Sequence, residues 1–526
     1  MNKTIHGRIL GAAILALLPA ASAVAQNDAP AQVSVTVDLS KPGPVIDRHI
    51  YGQFAEHLGT GIYGGVWVGE NSRIPNIHGY RSDVLAALKK IHVPVIRWPG
   101  GCFADIYDWR DGIGPRGKRP TRINVHWGGV LEDNSFGTHE FMNYSELVGA
   151  DPYVSINVGS LPPYDAAQWV EYMTSSENAT LANERRANGR DKPWNLKYLG
   201  IGNEIWGCGG NMSGEYGASI NARYSSFINA PASMGMVKVA AGPTGSRPTY
   251  VDWAEKMMQG GGRLQAMSFH YYTVPNDRIP GDTRTDWRGP ALGFDEAAWA
   301  VTLKKSLRME TMLSRLSAMM DRYDPQKKVA LYVDEWGTWY DQEKGTHPGF
   351  LYQQNSLRDA EVAALTLNIF HRHTDRVKLA AIAQMVNVLQ AMILTDGPRM
   401  LLTPTYHVYD MYQPFMDATP YDASVRGPDY SVGKNSLPMA DVSAARGKDG
   451  KLWLALVNTD PHRPAHVVTN LDGTGKGRIL TGPAMDTHNT FDAPNTIHPA
   501  AFSGTSEGGK AVFDLPAKSV AVVAIQ

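Results

Sequence analysis

The chain has 526 residues, 43% of them hydrophobic, and a formal net charge of −1 from 50 basic and 51 acidic side chains. That length exceeds one ordinary core and points to two domains. The balanced charge excludes the long-range field that nucleic acid or an anionic membrane would need, and leaves a neutral partner such as carbohydrate.

At the N-terminus Lys3 and Arg8 precede an apolar run over 9–18, and Ala23-Val24-Ala25 follows as a small-residue cleavage pattern. Residues 1–25 read as a secretory signal peptide cut after Ala25, so a periplasmic or secreted protein is expected. The apolar run is too short to span about 30 Å of hydrocarbon, and no membrane attachment is expected after cleavage. In the segment 26–47, residues 33–39 alternate apolar and polar with period two, the mark of a half-buried strand. Lys41-Pro42-Gly43-Pro44 ends it.

From 48 to 400, short apolar runs alternate with helical patterns. Eight strand candidates fall at 50–57, 93–99, 152–158, 196–203, 237–242, 266–271, 329–335 and 379–387. Helical spacing marks 81–91, 139–148, 166–173, 302–323 and 357–371. Eight strands, each followed by a helix, predict a (β/α)8 TIM barrel. After 401 the helices are expected to stop, and short strands between turn residues predict a C-terminal β-sandwich over 401–526, joined by the N-terminal strand. Cys102 and Cys208 are too few for a disulfide framework. Their Gly-rich loops can meet, yet the two are read as thiols.

A barrel carries its chemistry at the C-terminal ends of its strands. Here those ends are polar: Glu56-His57, Arg97-Trp98-Pro99-Gly100-Gly101-Cys102, Asn203-Glu204, His270-Tyr271-Tyr272, Asp334-Glu335-Trp336 and Gln384. Glu204 ends the fourth strand and Glu335 the seventh, which face each other across a barrel mouth. Glycoside cleavage needs such a pair: one carboxylic acid protonates the leaving oxygen, and one carboxylate stands across the anomeric carbon. Glu204 as the acid requires a raised pKa, from low dielectric and from the charge of Glu335. His270 can orient Glu204, bind sugar, or be a satisfied core histidine.

With those residues in view, the chain resembles glycoside hydrolase family 51, the α-L-arabinofuranosidases. The resemblance rests on Tyr51-Gly52-Gln53-Phe54-Ala55-Glu56-His57-Leu58-Gly59, the Arg97 to Phe103 stretch, Asp111-Gly112-Ile113-Gly114-Pro115, Gly202-Asn203-Glu204-Ile205-Trp206-Gly207 and Asp334-Glu335-Trp336. It implies a retaining, exo-acting enzyme that removes arabinofuranosyl units from arabinan, arabinoxylan or arabino-oligosaccharides. It needs no cofactor or metal, and hexamers are common among such enzymes. It implies Glu204 as acid/base, Glu335 as nucleophile and Asn203 on the sugar 2-hydroxyl. Glu56 would bind sugar hydroxyls and Gln384 the exocyclic hydroxymethyl. Arg97 and Tyr272 would steady the nucleophile, and Trp127 and Trp339 would wall the subsites. Cys102 joins the substrate-binding set where some members have Asn: if the backbone amide makes the sugar contact little is lost, and if the Asn side chain does, substrate preference shifts.

Three rivals remain at this level. A metal-dependent barrel hydrolase would want His-x-His after the first strand, which His57 and His270 do not supply. An endo-acting glucanase or xylanase could use the same two Glu. A non-catalytic sugar-binding protein would have no need of both.

Overall fold

The computed structural model describes Met1, residues 29–277 and residues 286–526. The expected signal segment thus lies, Met1 apart, outside the described residues. Strand β1 (Ala31–Pro42) comes first. Eight parallel strands then close a barrel in chain order: β2 (Gly52–Phe54), β3 (Val95–Trp98), β4 (Asp151–Ile156), β5 (Tyr198–Ile201), β6 (Val237–Ala240), β7 (Ala266–Thr273), β8 (Ala330–Thr338) and β9 (Val377–Ala383). The expected TIM barrel is therefore present, with its strands one to several residues shorter or shifted at most ends.

Inside the barrel, Val95, Tyr153, Tyr198, Val239, Ala266, Tyr332 and Leu379 form one apolar cluster near the start of the strands. Side chains two residues apart on a strand share a face. The next inward layer accordingly includes Arg97, Ser155, Ser268 and Asp334, and the interior turns from apolar floor to polar mouth within one step. Strand β8 adds an irregularity. Ser268 pairs with Tyr332, but His270 pairs with Glu335, so β8 advances three residues while β7 advances two. A bulge of this kind re-aims side chains. It lets the consecutive Asp334 and Glu335 both reach interior partners: Tyr153 Oη donates to Asp334 at 2.6 Å, and Tyr272 Oη to Glu335 at 2.8 Å.

Two helical expectations need correction. The single helix expected over 302–323 is two, Glu296–Ser306 and Arg308–Asp321. Apolar periodicity runs through the break at Leu307, but the two halves pack on different neighbours, the first on the helix Leu357–Arg372 and the second on Tyr250–Gly260. Nor do helices stop at 401. Thr403 caps a further helix, Pro404–Tyr412, by accepting the Tyr406 N–H, with Pro404 at its first position.

The C-terminal part is a mainly antiparallel ten-stranded sheet. Its strands are β10 (Thr419–Arg426), β11 (Ala440–Arg446), β12 (Leu452–Asn458), β13 (Ala465–Asp472), β14 (Gly475–Thr481), β15 (Ala500–Ser503), β16 (Thr505–Glu507), β17 (Lys510–Leu515) and β18 (Ser519–Ile525). The order is β15-β14-β18-β12-β11-β10-β1-β13-β17-β16. The sheet folds back so that β14 and β18 also touch β17, giving the sandwich. The half-buried strand expected over 33–39 is β1, and it lies between β10 and β13 in this sheet. The helix Leu357–Arg372 joins the two parts. It is buried from Leu357 to His371 and touches β8 on one side and β11, β12 and β18 on the other.

Candidate active site

Glu335 sits on bulged β8. Its Oε2 accepts from Arg97 Nη1 at 2.9 Å and its Oε1 from Tyr272 Oη at 2.8 Å. Glu204 follows β5, after a left-handed Gly202, and itself has φ of 41°. A positive φ is costly for Glu and marks a backbone held by its surroundings. Here the Glu204 carbonyl accepts the N–H groups of Gly207 and Gly209 in a tight loop. One carboxylate oxygen of Glu204, one of Glu335 and a ring nitrogen of His270 all lie within 4.8 Å of one another.

His270 bridges the acids. Its Nδ1 is 2.9 Å from Glu204 Oε1 and 3.5 Å from Glu335 Oε2, and its Nε2 is 3.2 Å from Asp334 Oδ1. Burial opposes the charge on this ring, but Glu335, Asp334 and Glu204 outweigh it and push its pKa up to about 10. For Glu204, burial raises the pKa, the His270 contact pulls it back and the charge of Glu335 raises it again. The net direction is upward. Of the three readings of His270, the geometry favours an orienting contact.

Arg97 and Asn203 complete the layer beneath. Arg97 Nη2 donates to Asn203 Oδ1, and the buried Asn203 Nδ2 has no partner among the described residues. Gly101 packs against this layer at ordinary contact distance. A Cβ there would stand 3.4 Å from Asn203 Nδ2 and 3.5 Å from Glu335 Oε2.

Above this layer opens a pocket of about 290 Å³. Glu56, Cys102, Trp127, Glu204, Tyr272, Glu335, Trp339 and Gln384 all border it. Arg97, Asn203 and His270 do not. They lie 1–2% exposed; Arg97 and His270 hold the carboxylates from below, and Asn203 is bonded to Arg97. Glu56 accepts from Trp127 Nε1 at 2.8 Å, the Phe103 amide at 3.1 Å and Gln384 Nε2 at 3.1 Å. Burial first, and Glu335 next, push its pKa up to about 7. A larger hollow of 590 Å³, between β1 and β10, holds none of these residues.

Chemically, the pocket offers a carboxylic acid and a carboxylate a sugar's width apart, aromatic walls and hydrogen-bonding groups between them. The comparisons agree. Residues 87–287 match the family model described as "Alpha-L-arabinofuranosidase 1 domain", and 334–519 match "Alpha-L-arabinofuranosidase C-terminal domain". An "Intracellular exo-alpha-L-arabinofuranosidase" of Bacteroides ovatus is 48% identical over 94% of this chain and 95% of its own. The chain belongs to glycoside hydrolase family 51. The crystal structure of a family 51 arabinofuranosidase from Xanthomonas axonopodis pv. citri has TM-score 0.91 and 51% identity, over 94% of this chain and all of that one. The thermostable family 51 α-L-arabinofuranosidase of Thermotoga petrophila has TM-score 0.80 and 28% identity, again over 94% of this chain and all of the other.

Two expectations about this family 51 chain are corrected. The Bacteroides ovatus relative, which shares nearly the whole chain, is named as intracellular, and that overturns the expectation of a periplasmic or secreted protein. A basic start, an apolar run and small residues were the whole basis for export, and such a pattern carries no information about a fold. Cys102 and Cys208 are not two thiols. They form a disulfide, with Cα atoms 5.5 Å apart across a sequence separation of 106. The barrel brings together the loops after β3 and β5, two strands that are not neighbours.

Further residues around the site stand outside the candidate set. Asp105 accepts the N–H groups of Val158, Gly159 and Asn203, and so ties the loop after β3 to those after β4 and β5. At the rim, Trp206 lies under the Arg247 guanidinium at 4.6 Å, and Trp339 under that of Arg288 at 4.4 Å. Trp206 belongs to the Asn203-Glu204 motif, and its place two residues after the acid was a usable signal. Arg247 and Arg288 sit in irregular loops with no pattern to read.

Proposed function

We propose that this chain is a retaining, exo-acting α-L-arabinofuranosidase that releases terminal non-reducing arabinofuranosyl residues from arabinan, arabinoxylan or arabino-oligosaccharides. The observation that carries the mechanism is the approach of Glu204 and Glu335 oxygens within 4.8 Å. Retaining pairs stand about 5–5.5 Å apart, whereas an inverting pair needs about 6.5–9.5 Å to admit water between them.

In this reading Glu335, paired with Arg97 and held by Tyr272, attacks the anomeric carbon. Glu204, kept protonated by burial and by the charge of Glu335, gives its proton to the leaving oxygen. Ester formation then removes the charge on Glu335. The pKa of Glu204 falls, and the same group takes a proton from the incoming water. Glu56 and Gln384 bind sugar hydroxyls, and the backbone at Cys102 adds a contact. Gln384 Oε1, unpaired among the described residues, supplies an acceptor for the sugar, and Asn203 Nδ2, unpaired just beneath the pocket lining, is the donor assigned to the sugar 2-hydroxyl. Trp127 and Trp339 form the walls. A pocket closed by these walls favours a chain end over a mid-chain segment. A hexamer of the chain, implied by the family resemblance, is tested by light scattering.

The deciding experiment is trapping. A slow fluorinated arabinofuranoside with an activated leaving group is incubated with the protein and the labelled peptide is mapped. A label on Glu335, with the α anomer formed first by proton NMR, is expected. The β anomer first, or a label elsewhere, overturns the assignment. Hydrolysis of aryl arabinofuranosides without loss of viscosity in a glucan or xylan separates this activity from the endo-acting alternative.

A further inference from the structure

The disulfide lies at the edge of the pocket, with Cys102 in its lining and Cys208 bonded behind it. Cys102 borders the cavity, is partly exposed, and follows the Gly101 that backs Asn203 and Glu335. Cys208 stands in the loop of the acid/base, and its Sγ is 3.8 Å from Glu204 Oε2. The two sulfurs and a Glu204 oxygen all lie within 4.8 Å of one another. Cysteine thiolates and a carboxylate are each zinc ligands, three protein donors leave a fourth position for water, and Zn–S bonds of about 2.3 Å at a tetrahedral angle place two sulfurs about 3.8 Å apart. Sulfurs now bonded to each other reach that spacing by small side-chain rotations once the bond is cut.

We propose that the Cys102–Cys208 disulfide conceals a divalent-cation site: cleavage by a dithiol frees two thiols that, with Glu204, capture Zn2+ and stop hydrolysis. The activity half of this proposal rests on Glu204 being the acid/base. In the first step a dithiol transfers two electrons and two protons to the disulfide, giving two cysteine thiols and leaving the reductant as its own disulfide. In the second, both thiols, and Glu204 where it is protonated, release protons to solvent as Zn2+ binds. A carboxylate bound to Zn2+ has no proton to give, and the ion stands at the pocket wall where the leaving group must pass. The oxidised protein has no thiolate, so this donor set is closed to zinc. The device couples the thiol state of the surroundings to sugar release through one side chain. Its partner is a soft divalent cation, since two thiolates discriminate against Mg2+ and Ca2+.

The test uses the full-length protein, oxidised and dithiol-reduced, with the reductant removed by gel filtration under argon. Thiol titration counts the freed cysteines, Cd2+ reports thiolate ligation by its near-ultraviolet charge-transfer absorbance, and aryl arabinofuranoside hydrolysis is followed with and without one equivalent of Zn2+. Two titratable thiols, one Cd2+ per chain and at least a ten-fold loss of rate with Zn2+, reversed by chelator and confined to the reduced form, support the proposal. The set Glu204, His270 and Glu335 is present in both forms and also has its donor atoms within 4.8 Å, so equal inhibition of the oxidised protein overturns it. Resistance of the disulfide to dithiol, or reduced protein without the Cd2+ band, overturns the site itself. Cadmium ligation with an unchanged rate overturns the switch and puts the failure in the role given to Glu204. In the Cys102→Ser/Cys208→Ser double variant the ratio of rates with and without Zn2+ is expected to stay near one. A ratio as low as that of the reduced wild type overturns the proposal, and the oxidised–reduced comparison stands even if this variant folds poorly.

Discussion

The two ends of the barrel interior are built on the same strands and follow opposite rules. At the floor, Val95, Tyr198, Val239, Tyr332 and Leu379 pack side chain to side chain in an apolar layer. One step up, Arg97, Asp334, Glu335, His270 and Glu204 crowd four or more formal charges into one largely buried layer. The floor gains from burial, at roughly 25 cal/mol per Å² of apolar surface. The mouth loses by desolvation and recovers through close ion pairs, a balance that rarely favours stability. The difference teaches where each property resides. The floor holds the barrel closed, and that closure keeps the mouth's charges in an arrangement they would not adopt alone.

The sharpest way to break this division is at Glu335. Replacing it by Gln keeps shape and volume but removes the attacking carboxylate, and kcat is expected to fall about 10⁴-fold or more. Thermal unfolding should move little by comparison, because Arg97 retains Asp334 at 3.5 Å. A large drop in Tm together with the lost rate would mean that the mouth supports the fold after all.

Glu204→Gln is expected to cost less, roughly 10²–10⁴-fold in kcat/KM on substrates with poor leaving groups. It should cost much less on activated aryl arabinofuranosides, which need little protonation. The raised pKa of Glu204 sets the sign of the pH dependence. The acid form is the competent one, so the wild-type kcat/KM falls as pH rises through that pKa, and the Gln variant should lack this basic limb. An identical basic limb in both proteins would assign it to another group.

The floor is tested by Leu379→Ala. This side chain is fully buried, and its truncation should lower unfolding stability by about 2–5 kcal/mol through lost burial and an unfilled cavity. At a temperature where the variant is folded, kcat/KM should change less than three-fold. A larger loss would show that floor packing is transmitted to the charges above, and the two ends would then be one unit.

How much of this was legible in the sequence follows the same line. The barrel could be read because short apolar runs alternate with helical spacing, and the acids because they end such runs in Asn203-Glu204 and Asp334-Glu335. The bulge could not, since alternation predicts that only one of Asp334 and Glu335 faces inward. The disulfide was hidden for a different reason: a separation of 106 residues does not reveal that the loops after β3 and β5 meet. The break at Leu307 left no mark because helical period continues on both sides of it. Asp105 looks like any loop aspartate until the three N–H groups aimed at it are seen.

Asp105 provides the smallest and most specific test of how the mouth is held. Its Oδ1 accepts the amides of Val158 and Gly159 at 2.8 and 2.9 Å, and its Oδ2 that of Asn203 at 3.1 Å. In Asp105→Asn the amide oxygen can still take the first pair, but the NH2 group faces the Asn203 N–H and cannot accept it. One buried donor is left unpaired, next to the residue that meets Arg97. A buried unpaired donor costs about 1–3 kcal/mol, and part of it should appear as a fall of about ten-fold in kcat/KM. Burial, opposed by those three hydrogen bonds, pushes the Asp105 pKa up to about 7 from an ordinary 3.8. A carboxyl whose pKa is higher folded than unfolded favours the fold at low pH, and that contribution is lost as pH rises from about 4 to about 7. Asn has no such slope. Between pH 4 and 7 the variant should therefore gain on the wild type, losing least at the upper end of that window. If the stability difference is flat across it, Asp105 is charged throughout in the folded protein, and the mouth tolerates one more buried anion than its layer of ion pairs implies.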